Sequence, residues 1–368
     1  MFGCCGGGGD PVTRRALLTG LLGTVTTACA GATAQSASRR EEDLIAHAAR
    51  TMDGTPVIDL HAHPGEFTRR ATGELPRAAL ADLRDSGVAA AFFSAVADGP
   101  VIRRERRGIT NYREPAAGEL HRETLGQLHR VRARAHEGHV RLILAPSDVV
   151  AAQRDSTPGA LLACEGGDAL EGRVARVREL HELGVRSIQL VHYRINELGD
   201  IQTQPPRHGG LTAAGADVVA EMNRLGMIVD GAHASPATLS GIVSVSRRPI
   251  IVSHTGPAHL RSYARHLDDD LLRAVAAGGG VVGVWPLARR GETIDVFLQS
   301  IDYVRALIGI DHVGIGTDMM GLSVFTSVPT YRHFASVPAA LLARGYTEGD
   351  LRRLLGGNAM RVFEAAQP

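Results

Sequence analysis

The chain has 368 residues, of which 44% are apolar and 21% charged, a composition typical of a globular enzyme built as one large α/β barrel or two ordinary domains. Its formal net charge is +1, so it lacks the basic field that attracts nucleic acid or an anionic membrane, and we expect neither as a partner. All 40 basic residues are arginine, which excludes Schiff-base, pyridoxal-phosphate and P-loop ATPase chemistry, because each of these needs a lysine.

The first 34 residues have the pattern of an export signal and leader. Arg14 and Arg15 precede an apolar stretch that runs to about Ala30, residues 32–34 offer a cleavage site, and the paired arginines favour the twin-arginine route. The stretch is about 15 residues, shorter than the roughly 20 of a spanning helix, so we expect no transmembrane domain in the mature chain. Cys29 leaves a lipid anchor as an alternative. The protein is therefore expected to be exported, periplasmic or extracellular, or attached to a membrane as a lipoprotein.

Residues 35–368 predict a single catalytic domain in which short strands alternate with helices. The strand candidates are 57–61, 89–95, 161–165, 187–192, 227–231, 250–254, 280–285 and 312–317. Helical periodicity is found at 41–52, 172–183, 212–225 and 268–277. Alternation of this kind predicts a parallel sheet, and eight units in one run favour a closed barrel. The fold class is therefore α/β, a (β/α)8 TIM barrel of the metal-dependent hydrolase type.

Three features of this domain fall outside the regular pattern. An extra apolar run at 140–145 could be a ninth, peripheral strand. The long, Arg-rich segment 98–138 is mostly helical in pattern, and it is either an excursion over the barrel mouth or a solvated helix. Cys164 is the one cysteine beyond the first 30 residues, so it has no intrachain partner there and is expected to pack in the core.

Five apolar runs each end on residues that can bind a metal ion. These residues are His61 and His63, Glu165, His233, His254 and Asp318. The carboxyl ends of barrel strands share one mouth, where active sites of this fold lie. One such histidine alone would more often be structural, but the joint pattern predicts a metal centre. Imidazole and carboxylate donors without thiolate favour Zn²⁺, with Mn²⁺, Fe²⁺ or Co²⁺ also compatible.

The first two histidines and the glutamate have distinct geometric roles in this prediction. His61 and His63 are two residues apart on a strand, so both side chains should point into the barrel while Ala62 points out. Glu165 has two carboxylate oxygens and can bridge two ions. Because the chain has no lysine, a carboxylated lysine cannot be the bridge, and a Glu or Asp must take that place.

The second half of the chain carries more specific motifs. These are GLTAAGADVVAEMNRLGMIVDGAHAS, PIIVSH, DDDLLRAVAAGGGVVGV, HVGIGTD and LLGGNAMRVF, together with CEGGDAL around Glu165. In these segments the chain resembles the renal (membrane) dipeptidase family of metallopeptidases, in the amidohydrolase superfamily, over about residues 55–365. The resemblance implies a (β/α)8 barrel with two zinc ions per chain that cleaves dipeptides and sometimes related amides such as β-lactams.

The resemblance also implies roles for individual residues. Glu165 would bridge the two ions, with His61 and His63 on one ion and His233 and His254 on the other. His192 matches the histidine that polarises the scissile carbonyl and contacts the substrate. Arg265 matches the arginine that holds the substrate carboxylate. Asp318 matches the acid that manages the proton of the attacking water. Two plainer interpretations remain: Arg265 as a surface residue, and His192 as a residue that orients a ligand.

Two departures from the family pattern affect this site. The family usually has His-x-Asp on the first strand, and this chain has His61 and His63, so one negative charge is lost and the first ion should bind more weakly. The usual Ser-Asp-Phe-Asp-Gly is here 317–321, Thr-Asp-Met-Met-Gly, which keeps the first Asp and loses the second. Substrate preference near this loop is therefore open.

Three functions compete at this point. The first is a zinc-dependent dipeptidase acting on a small dipeptide-like substrate. The second is an amidohydrolase of the same fold that acts on another amide, a lactam or an ester. The third is a non-catalytic exported binding protein, against which the complete set of ligands argues. A homodimer is compatible with the barrel.

Overall fold

The computed structural model describes residues 43–63, 77–106, 108–322 and 325–368. The export signal expected at 1–34, with Arg14, Arg15 and Cys29, lies outside these residues. None of the described helices is long and apolar enough to cross a membrane.

The core of the fold is a barrel of eight parallel strands. The described residues form eleven strands in all, of which β3, β4 and β5 lie outside the ring of eight. In chain order they are β1 (Ile58–Ala62), β2 (Ala90–Val96), β3 (Ile102–Glu105), β4 (Gly108–Asn111), β5 (Arg141–Leu142), β6 (Gly159–Glu165), β7 (Val185–Gln189), β8 (Ile228–Asp230), β9 (Ile251–Thr255), β10 (Val281–Val284) and β11 (Val313–Ile315). The order around the sheet is β1-β2-β6-β7-β8-β9-β10-β11, and all of these neighbours pair in parallel. The predicted (β/α)8 barrel is confirmed, with each of the eight strands within two residues of its expected start.

The barrel closes between its first and last strands through the loop that follows β11. The Asp318 amide donates to the His61 carbonyl at 2.9 Å, and the His63 amide donates to the Met319 carbonyl at 2.8 Å. Inside the barrel the backbones approach closely: a Cβ on Gly283 or on Gly316 would overlap the Ser253 carbonyl oxygen. Closure brings the first predicted metal ligands next to the last one.

Helices connect the strands and cover the barrel. They are α1 (described over 43–52), α2 (Arg77–Asp85), α3 (Glu119–His136), α4 (Pro146–Arg154), α5 (Ala175–Glu182), α6 (Ala213–Leu225), α7 (Pro236–Val245), α8 (Asp269–Ala277), α9 (Ile294–Ile308), α10 (Tyr331–Phe334), α11 (Val337–Ala343), α12 (Glu348–Arg352) and α13 (Asn358–Ala366). Side-chain caps define several starts: Thr212 begins α6 by accepting the Gly215 amide, and Asp268 begins α8 by accepting the Leu271 amide. The helices expected at 41–52, 172–183, 212–225 and 268–277 are present.

The irregular segment after β2 divides into two parts. Its first part is an antiparallel hairpin, β3–β4, which the mostly helical pattern did not predict. Its second part is α3, which buries Leu120, Leu128 and Val131 against the barrel, so it is a packed helix and not a solvated one. The short strand β5 pairs with the start of β6 outside the ring of eight, which confirms the peripheral ninth strand.

Burial of the strands on both faces explains their nearly continuous apolar sequences. Every residue of β1, β2 and β6 is buried, as expected when helices cover a parallel sheet. Cys164 is 1% exposed within the main hydrophobic cluster, which confirms its expected place in the core.

Candidate metal centre and active site

The predicted ligands converge on Glu165 at the carboxyl end of the barrel. The Glu165 carboxylate lies 3.2 Å from His61 Nε2, 3.4 Å from His63 Nε2, 3.3 Å from His233 Nε2 and 3.6 Å from His254 Nε2. All five side chains are buried. Residues from five separate positions in the chain thus place one carboxylate among four imidazoles.

Two overlapping groups have the geometry to hold a metal ion. Ligand atoms of His61, His63 and Glu165 lie within 4.8 Å of one another, and so do those of Glu165, His192 and His233. The sequence placed His254 beside His233 in the second group, and the two Nε2 atoms are 3.1 Å apart. The structure therefore brings together every predicted ligand and adds His192, whose Nε2 is 3.4 Å from Glu165.

In His61, His63 and His254 the other ring nitrogen has a hydrogen-bond partner, as is common for metal ligands, whereas the buried His233 Nδ1 has none. His63 Nδ1 lies 2.9 Å from the Ser94 carbonyl oxygen, which can only accept, so Nδ1 carries a proton and Nε2 is the nitrogen that would bind an ion. His61 Nδ1 contacts the Ser94 hydroxyl at 3.2 Å, and His254 Nδ1 contacts the Ser253 hydroxyl at 3.0 Å. The residues present therefore fit a divalent ion.

The pKa shifts of Glu165, His233 and His254 agree with this donor set. Burial by itself would raise the pKa of Glu165, but the charges of His192 and His61 and hydrogen bonds from nearby histidines bring it well below its ordinary value. Burial lowers the pKa of His233 and of His254 well below the usual range. Burial alone would also lower the pKa of His61, but the charges of Glu165, Asp318 and Asp230 raise it. Metal ions bind the ionised carboxylate and the neutral imidazole, so an ion at His61 would displace any proton on the nitrogen that binds it.

Three predicted ligand or proton-transfer residues lie just after strands: His63 directly follows β1, and the other two have an unusual backbone conformation. His233 follows the end of β8 and Asp318 follows the end of β11, and both have a positive φ, 65° and 49°. Such a conformation cannot continue a strand. It costs on the order of 1–3 kcal/mol, which the surrounding contacts must offset. The expectation that every ligand ends a strand is wrong in this detail, although the loops bring both side chains to the same mouth.

Asp318 stands at the edge of the centre and faces the cleft. Its Oδ1 is 3.3 Å from His63 Nε2 and 4.0 Å from His61 Nε2. It is 8% exposed and lines a cleft of about 220 Å³, together with Glu165, His192 and Arg265. A carboxylate in this position can reach both the centre and a bound molecule.

Arg265 is buried, so its interpretation as a surface residue is wrong. It is 2% exposed, its guanidinium lies 5.1 Å from the centre of the Trp285 ring, and its Nε donates to Gln202 Oε1 at 3.3 Å. Its Nη2 is 3.0 Å from His254 Nε2. A buried, stacked arginine in a cleft is suited to a planar carboxylate.

The sequence did not single out the residues that support these groups. Asp98 is fully buried and accepts hydrogen bonds from His192 Nδ1 at 2.6 Å and from the Tyr193 amide at 3.0 Å. Burial alone would lower the pKa of His192, but the charges of Asp98 and Glu165 raise it to about 9. Asp98 follows β2 by two residues, and only this position behind a strand end could have drawn attention to it.

Comparison with known proteins identifies the family. A model of the membrane dipeptidase family (peptidase family M19) matches residues 45–368. Dipeptidase aclJ of Aspergillus oryzae is 35% identical over 292 residues, which are 72% of this chain and 69% of that protein. The structure of the probable dipeptidase PvdM of Pseudomonas aeruginosa is similar, with a TM-score of 0.74 at 18% identity over 89% of this chain and 99% of that chain. The structure of a Rhodobacter sphaeroides metallopeptidase liganded with a phosphinate mimic of the dipeptide L-Ala-D-Ala is also similar. Its TM-score is 0.70 at 21% identity, over 85% of this chain and 99% of that chain.

The barrel and its ring of imidazoles around a carboxylate define a metal-dependent hydrolase. The family model matches nearly all of the described chain, so the protein belongs to the membrane dipeptidase family. It is a metal-dependent dipeptidase. A non-catalytic binding protein is not supported.

Proposed function

We propose that the protein is a zinc dipeptidase with two ions per chain, bridged by Glu165. His61 and His63 would hold one ion, and His233 and His254 the other. The observation that carries this proposal is the position of Glu165, within 3.6 Å of all four imidazole Nε2 atoms. Zinc is the ion best suited to buried nitrogen and oxygen donors of this kind, and Mn²⁺, Fe²⁺ and Co²⁺ are the competitors. When bound, such ions lower the pKa of water and polarise a carbonyl oxygen.

Asp318 is proposed as the residue that moves the proton. Its carboxylate accepts a proton from the attacking water and later delivers it to the leaving amine. Its contact with His63 supports this role, because it holds the carboxylate beside the centre while one side faces the cleft.

His192 is proposed to stabilise the oxyanion that forms at the scissile carbonyl. The hydrogen bond from Nδ1 to Asp98 fixes the ring and leaves Nε2 directed at the Glu165 side of the cleft. A preorganised donor at this point favours the transition state over the ground state. The alternative, His192 as a metal ligand, uses the same nitrogen.

Arg265 is proposed to bind the C-terminal carboxylate of the dipeptide. Its guanidinium lies in the cleft, and a charge-assisted pair with a carboxylate would fix the substrate at one end. The substrate would then be oriented before the amide reaches the centre.

A dipeptide panel on metal-defined protein tests the proposal. The protein is stripped with a chelator, reloaded with Zn²⁺, Mn²⁺, Fe²⁺ or Co²⁺, and assayed on L- and D-configured dipeptides and one β-lactam. We expect zinc to restore dipeptide hydrolysis at one to two ions per chain, measured by elemental analysis. Asp318→Asn should keep the metal and lose most of its turnover. Full activity without metal, or an unchanged rate for Asp318→Asn, contradicts the model.

The N-terminal segment is proposed to direct export. Replacing Arg14 and Arg15 with glutamine in the full chain should retain the protein in the cytoplasm of its host. Mass spectrometry of exported protein should show cleavage near residue 34, or a lipid at Cys29 that Cys29→Ser abolishes. Size-exclusion chromatography with light scattering on the same material tests the homodimer.

A further inference from the structure

The two sides of the cleft differ in chemistry. Arg265 and Tyr263 follow β9, and Trp285 follows β10. Val96 ends β2, and Ile109 belongs to the hairpin that follows it. In the ring of eight strands β2 is the second and β9 the sixth, so the two lie on opposite sides of the mouth. One side is therefore cationic and aromatic, and the opposite side is aliphatic.

The hairpin β3–β4 forms the aliphatic side. Ile102 pairs with Asn111, and Arg104 pairs with Ile109, so these four residues share one face of the hairpin, and of the four only the two isoleucines line the cleft. Thr110 belongs to the other face. The Gln204 side chain donates to Asn111 Oδ1 at 3.2 Å, which ties the hairpin to the barrel.

The loop after β11 extends this aliphatic side. Met320 and Leu322 line the cleft together with the hairpin. β11 lies two strands from β2 and two strands from β9 in the ring, and the bridge between Met319 and Ala62 joins the start of this loop to β1, the neighbour of β2. We define the apolar wall as Val96, Ile102, Ile109, Met320 and Leu322.

A dipeptide can cross this cleft in one direction only. The scissile carbonyl belongs to the N-terminal residue, and the free carboxylate belongs to the C-terminal residue. With the carboxylate on Arg265 and the carbonyl at Glu165, the N-terminal residue must lie on the β2 side. The cleft, at about 220 Å³, is smaller than the roughly 300 Å³ at which pockets for drug-sized ligands begin, so a small molecule fills it.

We propose that the apolar wall is the subsite for the side chain of the N-terminal residue, and that the enzyme prefers dipeptides in which this residue is aliphatic. The proposal rests on the proposed function, because it takes its direction from Arg265 and the metal centre. When an aliphatic side chain binds there, apolar surface of the substrate and of the wall is removed from water, which is favourable. Each methylene that fits the pocket raises kcat/KM by about tenfold or more.

A substrate series tests the preference. The C-terminal residue is kept as alanine, and the N-terminal residue is varied among glycine, valine, leucine, aspartate and arginine. We expect kcat/KM for Leu-Ala to exceed that for Gly-Ala by tenfold or more, with Asp-Ala the poorest. Equal values across the series overturn the subsite and leave the dipeptidase intact. No hydrolysis of any dipeptide overturns the proposed function, and the subsite with it.

Variants of the hairpin locate the preference. Ile109→Asp should lower kcat/KM for Leu-Ala by tenfold or more and raise that for Arg-Ala, while Gly-Ala changes by less than about threefold. Thr110→Asp is the matched control: it adds the same charge one residue away on the other face and should leave the series unchanged. Ile109→Ala removes apolar surface without adding charge and should lower only the aliphatic substrates. Metal content and thermal denaturation verify that each variant is folded. An Ile109→Asp series identical to that of Thr110→Asp overturns the proposal.

Discussion

His63 places an imidazole in this centre where the family usually has an aspartate. Its Nε2 lies 3.4 Å from Glu165 and 3.3 Å from Asp318, so two carboxylates surround it. Its Nδ1 donates to the Ser94 carbonyl oxygen, which fixes the orientation of the ring. Among the residues described here, Glu165 and Asp318 are the carboxylates that lie within 4 Å of His61 Nε2 and His63 Nε2.

Restoring the aspartate should strengthen metal binding. In His63→Asp the added negative charge attracts a divalent ion, and we expect the zinc dissociation constant to fall by about tenfold, the equivalent of about 1.4 kcal/mol. Competition with a chromogenic chelator measures it. His63→Ala, which removes the ligand without adding charge, is the control and should weaken binding. An affinity for His63→Asp at or below that of the wild type would contradict this account.

Asp98 should act on the reaction through His192. Asp98→Asn keeps the shape but weakens the hold on the ring, so we expect kcat to fall by about tenfold to a hundredfold with little change in KM or in metal content. A double-mutant cycle separates this role from a structural one: in a His192→Ala background, Asp98→Asn should have almost no further effect. Asp200→Asn, another buried aspartate that accepts backbone amides away from the centre, is the control for folding. Additive losses in the cycle would show that Asp98 does not act through His192.

Arg265 should recognise the substrate by charge. We expect Arg265→Ala to lower kcat/KM for free dipeptides by a hundredfold or more, and to affect C-terminally amidated dipeptides much less, because only the former carry the carboxylate. Steady-state kinetics on matched pairs of substrates measures the difference. Equal losses on both would mean that Arg265 does not bind the carboxylate.

At the scale of elements, the loops after the strands decide the shape of the site. The loop after β11 illustrates this: Asp318 and Met320 have positive φ, at 49° and 66°, and the chain turns sharply at Gly321. A Cβ on Gly321 would overlap Asp318 Oδ1 and the His63 ring. The glycine is therefore needed because two functional side chains occupy the space of a methyl group.

Gly321→Ala should disturb the site without unfolding the protein. The methyl group must displace Asp318 or His63, so we expect kcat to fall by at least tenfold and metal affinity to weaken. Gly126→Ala is the control, since its Cβ meets nothing closer than 3.7 Å and alanine favours the helix α3. Kinetics and calorimetry are compared for both. Wild-type kinetics in Gly321→Ala would show that the loop adapts.

Elements were predicted better than the connections between them. The strands could be recognised because burial on both faces leaves short apolar runs, as in Ala90–Val96. The hairpin β3–β4 was missed because Arg103, Arg104 and Glu105 hide the alternation, and only two apolar residues face the cleft. The alternation of apolar and polar residues predicts strands poorly where few of the residues are buried.

At the scale of the whole molecule, the metal centre links distant parts of the chain. The four histidines and Glu165 come from β1, β6, β8 and β9 and the residues that follow them. An ion bound by these residues would hold the strands together in the folded state only. Binding to the folded state stabilises it, by about 4 kcal/mol when the ion is a thousandfold above its dissociation constant.

Removal of the metal should therefore lower thermal stability. We expect chelation to lower Tm by several degrees and zinc to restore it. Differential scanning calorimetry measures both steps, and elemental analysis verifies that the ion is gone. The His233→Ala variant should lose most of this response. A Tm that does not change between metal-free and zinc-loaded protein would contradict a centre that spans the barrel.

The sequence alone determined the alternation of strands and helices and the candidate ligands, and its absence of lysine excluded a carboxylated lysine as a bridge between two ions. These depend on residue type and short spacing, which are local. Only the tertiary structure decided that Asp98 holds His192, that Arg265 is buried against Trp285, and that the barrel closes with Thr317 donating to Asp59 across 258 residues. Such contacts depend on the closure of the sheet, which brings together residues that no local pattern relates.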